Sequence, residues 1–250
     1  MMLCFATAAI FEFYCLKLLK PTIAIVLGLV LTVFIIMLST KTGLIGALLV
    51  YAYIGLRLGL QYKQVVKGVT ITLAGFALVV GCSYLLPNIK GRISEAATAV
   101  NDGGENKATE STAARIAVWK DAVTVIKQHW LTGAGTGDGK DLLKEQFLKS
   151  GNDFAYRLNY NAHNQYLQTT LALGIGGLLL LLASVLTLLY CGFMVKDYTM
   201  VVFGLLIGLN YLTEAMLERQ AGVLYIAFFT TLFAASYISK KSNKGVKTTY

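Results

Sequence analysis

The sequence predicts an all-α polytopic membrane protein, with about seven transmembrane helices and one large helical loop outside the bilayer. Three observations carry that expectation. Hydrophobic residues make up 56% of the 250, and the mean hydropathy is +0.63, too apolar for a soluble domain of this length. The apolar residues fall into runs long enough to cross about 30 Å of hydrocarbon at about 1.5 Å per residue. One polar stretch interrupts the runs, and it holds both histidines, both tryptophans and nine of the thirteen carboxylates.

The runs lie at about 1–16, 22–39, 43–60, 68–86, 166–190, 198–213 and 220–239. They divide the chain into amino-terminal membrane helices (1–86), the polar loop (87–164), carboxy-terminal membrane helices (165–239) and a short tail (240–250). Orientation follows from short-loop charges, because Lys and Arg near helix ends stay in the cytoplasm while long loops are largely exempt. Lys17, Lys20, Arg57, Lys63, Lys67, Lys196, Lys240, Lys241, Lys244 and Lys247 fall on one side, opposed there only by Asp197. That side is expected to be cytoplasmic, and the loop exported. With ten basic and nine acidic residues the loop is nearly neutral, so the net charge of +9 reflects membrane orientation and excludes a nucleic-acid footprint.

Cys4, Cys15, Cys82 and Cys191 all lie in apolar runs without a C-x-x-C pair, so neither a disulfide framework nor a thiolate zinc site is expected. With His129 and His163 alone to join carboxylates, no bound transition metal is expected either. The first run has no positive residues before it; Lys17 and Lys20 follow it, the reverse of a signal peptide. By the charge rule this helix starts outside, which leads to the expectation that further helices precede it.

Within the loop, Arg92 and the turn-forming Asn101-Asp102-Gly103-Gly104-Glu105-Asn106 resist burial and are expected to be mobile. Ser111 or Thr112 then caps a helix to about Gln128, with Ile116, Trp119, Val123 and Ile126 as its apolar face and Arg115 one turn before Trp119. Gly133, Gly135, Gly137 and Gly139 alternate, but a phosphate-binding P-loop is excluded. Ala134 stands where its first glycine belongs, and Asp141 where Ser or Thr should follow the lysine. The dinucleotide pattern fails at Asp138. A structural tight loop is the first reading of these glycines; backbone N–H groups meeting an anion is the second. A short helix over about Lys140–Lys149 leads on to His163.

At His163 the sequence resembles the O-antigen ligases and the related O-antigen polymerases and protein O-oligosaccharyltransferases. Their hallmark is His, then Asn, Ser or Gln, nine residues, Gly, two residues, and Gly, Thr or Tyr. Here it is His163, Asn164, the nine residues Gln165 to Leu173, Gly174, Ile175, Gly176 and Gly177. Arg115, Trp119, Gly133 and Gly135 also match the family's Arg-x3-Trp helix and Gly-x-Gly turn. The similarity covers about residues 22–239. Lys41, in Ser39-Thr40-Lys41-Thr42-Gly43, stands where the family usually carries arginine; it keeps the charge but not the bidentate grip on phosphate. Such proteins have more membrane helices than this chain, so it looks like a carboxy-terminal portion.

The resemblance implies a GT-C-like fold and transfer of a glycan from undecaprenyl pyrophosphate to an acceptor hydroxyl on a glycolipid, polysaccharide or protein. It places the reaction at the periplasmic face of a bacterial inner membrane, without a cofactor. It assigns His163 and Arg115 to catalysis, and Lys41, Asn164, Trp119 and Gly135 to substrate binding; Arg219 joins the substrate-binding set as a further cation for the pyrophosphate. The chemistry is coherent: an acceptor oxygen needs a base or orienting partner, and a departing pyrophosphate needs fixed cations. Bland readings stand beside these. A lone His in a polar loop is ordinarily surface decoration, Arg115 an ordinary solvated cation, and Trp119 a core or interface anchor. Glu214 and Glu218 with Arg219 are either a functional cluster or a structural ion pair. Gly174, Gly176 and Gly177 serve helix packing by default, or approach of a polyprenyl chain. The competing function is a non-catalytic transporter or lipid-binding subunit of polysaccharide export. It would need midspan charges in paired broken helices, and Glu12 alone stands at midspan.

Overall fold

The computed structural model describes residues 1–38, 40–85 and 111–246. Pro87, Arg92 and Asn101–Asn106 lie outside the described residues, as do Ser39 and the last four residues of the tail. Every regular element described is helical: α1 (Met2–Cys15), α2 (Pro21–Leu38), α3 (Lys41–Leu56), a π-helical turn (Arg57–Gln61), α4 (Val65–Leu85), α5 (Ser111–Gln128), α6 (Asp138–Ser150), α7 (Asp153–Arg157), α8 (Gln165–Met194), α9 (Tyr198–Tyr211), a 3-10 turn (Met216–Glu218) and α10 (Gln220–Val246). A helix stands at each of the seven apolar runs.

Among the described residues four helical stretches are long and apolar enough to cross a membrane: Pro21–Leu38, Lys41–Leu60, Gln165–Met194 and Gln220–Lys241. Met2–Cys15, Val65–Gly81 and Tyr198–Tyr211 are apolar but shorter, although the backbone of α4 continues helically to Leu85. Only 17% of the α2 window and 11% of the α10 window are buried within the protein. Apolar side chains such as Ile25 and Phe228 therefore point outward, as lipid-facing residues do.

The chain divides into two compact units that cut across sequence order: Met1–Ile93 with Asp197–Leu209, and Ser94–Lys196 with Asn210–Tyr250. In the first, α3 and α4 meet where side chains are smallest. A Cβ on Gly55 would strike Thr72 and the Gly68 carbonyl, one on Gly68 would strike the Gly55 carbonyl, and Gly75 lies against the Tyr51 ring. Such close backbone approach is how membrane helices gain contact without a hydrophobic drive between them. Glu12 is paired: Arg57 grips its carboxylate through Nε at 2.9 Å and Nη2 at 3.0 Å, Tyr53 donates its hydroxyl to it, and the Tyr198 ring lies 4.4 Å from the guanidinium. Both charged side chains are 9% exposed, so each neutralises a partner that would be costly alone in this setting.

The second unit has its core between α5, α6 and α7 and the start of α8. Val118, Ala122 and Val125 of α5 pack with Leu143 and Phe147 of α6, Ala155 of α7, Ala162 and Leu171. This corrects the expected apolar face of α5. Val123 is exposed, and the buried stripe is Ala113, Val118, Ala122 and Val125. Alanines look weak in a hydrophobicity pattern, yet small side chains let α6 and α7 approach. Buried Asp121 accepts from Ser150 Oγ at 3.0 Å and Asn152 Nδ2 at 3.2 Å, tying the α6–α7 corner to α5. Gly151 ends α6 in the left-handed conformation (φ 67°), as helix-terminating glycines do.

Candidate functional site

The site is built on a break in α8. Gly174 has φ 64° and ψ −161°, outside helical geometry and open without strain only to glycine. The break frees main-chain groups that a continuous helix would pair internally. The Leu171 and Ala172 carbonyls accept from Ala134 N at 2.7 Å and Gly135 N at 3.0 Å, and Ile175 N donates to the Trp130 carbonyl at 2.9 Å. The glycine turn after α5 is thus bonded into the break through backbone alone. Gly133 (φ 76°) and Gly174 face one another so closely that a Cβ on either would strike the other's amide nitrogen and neighbouring carbonyls.

The turn therefore serves the fold, since the amides of Ala134 and Gly135 are already engaged by α8. Gly174 contacts this turn, and a Cβ on Gly176 would meet nothing within 4 Å. Gly174→Ala is expected to destabilise the protein by about 2 kcal/mol or more, from the left-handed backbone and from overpacking together. Gly176→Ala should be near neutral. Thermal unfolding of both variants in detergent checks the contrast.

His163 closes the loop that leads into α8. Its φ is 44°, a conformation histidine tolerates better than most residues. Asn161 Oδ1 accepts from the His163 amide at 3.0 Å, the buried Gln168 side chain accepts from Ala162 N at 3.0 Å, and Tyr160 N donates to the Ala155 carbonyl at 3.1 Å. Asn164 caps α8, accepting from Leu167 N at 3.1 Å and donating Nδ2 to the Leu212 carbonyl at 3.1 Å. Gln165 accepts from Leu217 N at 2.7 Å. Two consecutive polar residues thereby bind the segment Leu212–Leu217 beside His163.

That segment carries Glu214, where the site converges. Arg115 Nη2 donates to Glu214 Oε1 at 2.8 Å, Arg219 Nη2 lies 4.0 Å from Oε2, and His163 Nδ1 lies 3.9 Å from Oε2. At that separation His163 forms an ion pair when protonated but not a hydrogen bond; its Nδ1 is buried without a hydrogen-bond partner. The Tyr160 ring stands edge-on to the imidazole at 4.7 Å between centroids. The His163 side chain keeps 19% exposure, and with Nδ1 buried this lies on its other atoms. Burial pushes the Glu214 carboxyl up, but the His163 ring, Arg115 and Arg219 more than reverse it, leaving the group below its ordinary value.

Of the residues expected in a site, His163, Arg115 and Arg219 come together. Asn164 and Gly135, expected at the substrate, engage the protein's own backbone through the amide side chain and the main-chain N–H respectively. Trp119 lies one turn along α5 from Arg115, and its indole Nε1 is buried without a partner among the described residues, a donor ready for an acceptor. Lys41 opens α3 in the first unit, after Thr40, whose hydroxyl caps the helix by accepting from Gly43 N. No three His, Cys, Asp or Glu side chains gather as a ligand set among the described residues. Sequence reasoning groups Glu214 with Glu218 and Arg219 as a functional cluster or a structural ion pair, from their position at the end of an apolar run, and does not link it to His163 or Arg115.

Apolar helices long enough to cross a bilayer, and a cluster in which His163, Arg115 and Arg219 surround Glu214, describe a polytopic helical membrane protein with a polar site. Residues 25–182 match the family described as O-antigen ligase. That is more than half of the chain, and the chain belongs to this family, whose members are glycosyltransferases of the ligase or polymerase kind. The match takes in Arg115, the glycine turn, His163 and Gly174, and stops short of Glu214 and Arg219. No curated protein and no solved structure gives a significant match.

Proposed function

We propose that this chain transfers a glycan from undecaprenyl pyrophosphate to an acceptor hydroxyl at the exported face of a bacterial inner membrane. The observation that carries the reading is the convergence of His163, Arg115 and Arg219, from three separate stretches of sequence, on the one carboxylate of Glu214. The carboxylate faces Nδ1, so the opposite nitrogen, Nε2, is the one presented to an acceptor. It takes the hydroxyl proton as the acceptor oxygen attacks the anomeric carbon. The bond from that carbon to the pyrophosphate oxygen breaks, and polyprenyl pyrophosphate leaves with the electron pair. Glu214 offsets the positive charge gained by the imidazole, the role of the third member in base-activating triads.

The leaving group needs cations. Arg219, 71% exposed, is open to a phosphate. Arg115 is held in place by Glu214 with further N–H groups to offer, and Lys41 is the third candidate. The sequence-wide bias of short-loop charges supports the exported position of the insert and a cytoplasmic carboxy terminus. The glycan acceptor is a glycolipid, a growing polysaccharide or a protein, all reached by the same chemistry.

The test is transfer by the full-length protein in proteoliposomes supplied with the lipid-linked donor. Arg115→Ala and Arg219→Ala should each slow transfer by roughly one to two decades, the loss of a charge-assisted contact of about 1.5–3 kcal/mol. Lys41→Arg should be tolerated. Chelators should leave the rate unchanged; activity lost in EDTA and restored by magnesium or manganese would assign charge neutralisation to a metal and refute this mechanism.

A further inference from the structure

The α8 helix has 30 residues, about 45 Å at the usual rise, half as long again as the hydrocarbon of a bilayer. Its two parts differ in chemistry. Gln165 to Leu173 carries the buried polar residues Gln165, Gln168 and Thr170, each hydrogen-bonded within the protein. From Ile175 to Met194 the helix is apolar apart from Ser184 and Thr187, both able to bond back to their own helix. These last residues, about 20 of them, are what about 30 Å of hydrocarbon requires, and Lys196 and Asp197 follow. The break at Gly174 therefore falls at the boundary where α8 enters the hydrocarbon.

The glycine turn is hydrogen-bonded at that level, Trp130 O to Ile175 N and Ala134 N to Leu171 O. Beside these bonds Trp130 and Leu131, two large apolar side chains adjacent in sequence, are 58% and 60% exposed. Main chain bonded to the first membrane turn of α8 holds them at the bilayer edge, and indole, apolar with one N–H donor, is suited to the headgroup region.

We propose that Trp130 and Leu131 dock the insert on the lipid bilayer, entering the boundary between headgroups and acyl chains by roughly 5–10 Å. The partner is the bilayer surface itself. This contact requires only that α8 span the membrane, so it stands or falls separately from the chemistry assigned to His163.

Tryptophan fluorescence of the chain in lipid nanodiscs tests it, because Trp119 and Trp130 are the only tryptophans. In Trp119→Phe, phospholipid brominated near the glycerol end should quench Trp130 strongly, phospholipid brominated near the methyl end should quench it less, and aqueous iodide should quench it weakly. If Trp119→Phe does not fold, wild type minus Trp130→Phe reads the same signal, since an exposed side chain contributes little to folding. Strong iodide quenching without a bromolipid effect would put the turn in water. Stronger quenching by the deep bromines would put it in the hydrocarbon centre, and shielding from both quenchers would put protein over it. Each of those three results overturns the proposal.

Discussion

Removing the His163 imidazole is expected to abolish transfer. General-base assistance is typically worth 10² to 10⁴-fold, so the loss should appear in kcat, with donor binding and membrane abundance little changed. His163→Ala makes the point but adds about 1–2 kcal/mol of strain, because alanine resists a φ of 44°. His163→Asn is the cleaner variant, since asparagine tolerates the left-handed region and has no basic nitrogen. His129, which precedes the glycine turn and has no part in the Glu214 cluster, is the control: His129→Ala should remain active. Acceptor glycosylation at matched protein levels decides the matter, and near-normal transfer by His163→Asn would remove the proposed base.

Glu214→Gln should cost roughly one to two decades in kcat, because it removes a charge-assisted bond to Arg115 and the anion facing His163. Glu214→Asp should recover part of the rate, which a merely space-filling role would not predict. The same residue gives a pH signature in stability. The folded carboxyl lies below its ordinary value of about 4.5, so it stays ionised in the folded protein at pH values where the unfolded chain takes up protons. Its contribution to stability is complete above that ordinary value and is lost as acidification carries the pH through the lowered folded value. The difference in melting temperature between wild type and Glu214→Gln should therefore be constant near neutrality and shrink in acid. A difference that grows on acidification would show that Glu214 is not held by His163, Arg115 and Arg219.

The elements that could be read from sequence are those whose signal is local. Apolar runs placed the helices within a few residues of where they lie, because length and hydropathy are set by neighbours in the chain. The α6 helix, expected over Lys140–Lys149, runs from Asp138 to Ser150 for the same reason. The face of α5 was misplaced because Ala113 and Ala122 are buried by what packs on them, and their own hydrophobicity is slight. His163, Arg115 and Arg219 were legible as types of residue at recognisable places. Their meeting was not, because Glu214 lies about 50 residues beyond His163 and is brought beside it by long-range contacts such as those of Asn164 and Gln165 with Leu212 and Leu217. The alternating glycines were legible as a tight turn, but only the structure shows that they and Gly174 form the two halves of one joint.

That joint has a consequence for how the protein is made. The turn at 130–135 leaves the ribosome well before Leu171, Ala172 and Ile175, which later accept and donate its hydrogen bonds. Until the two meet, α8 carries main-chain groups at its break that neither the helix nor the turn has yet paired. Completion of the backbone pairing at the α8 break and folding of the glycine turn are thus one coupled event. A nascent chain that has threaded its helices without docking the turn remains recognisably unfinished, and the step that completes the membrane helix is the step that fixes the backbone leading to His163.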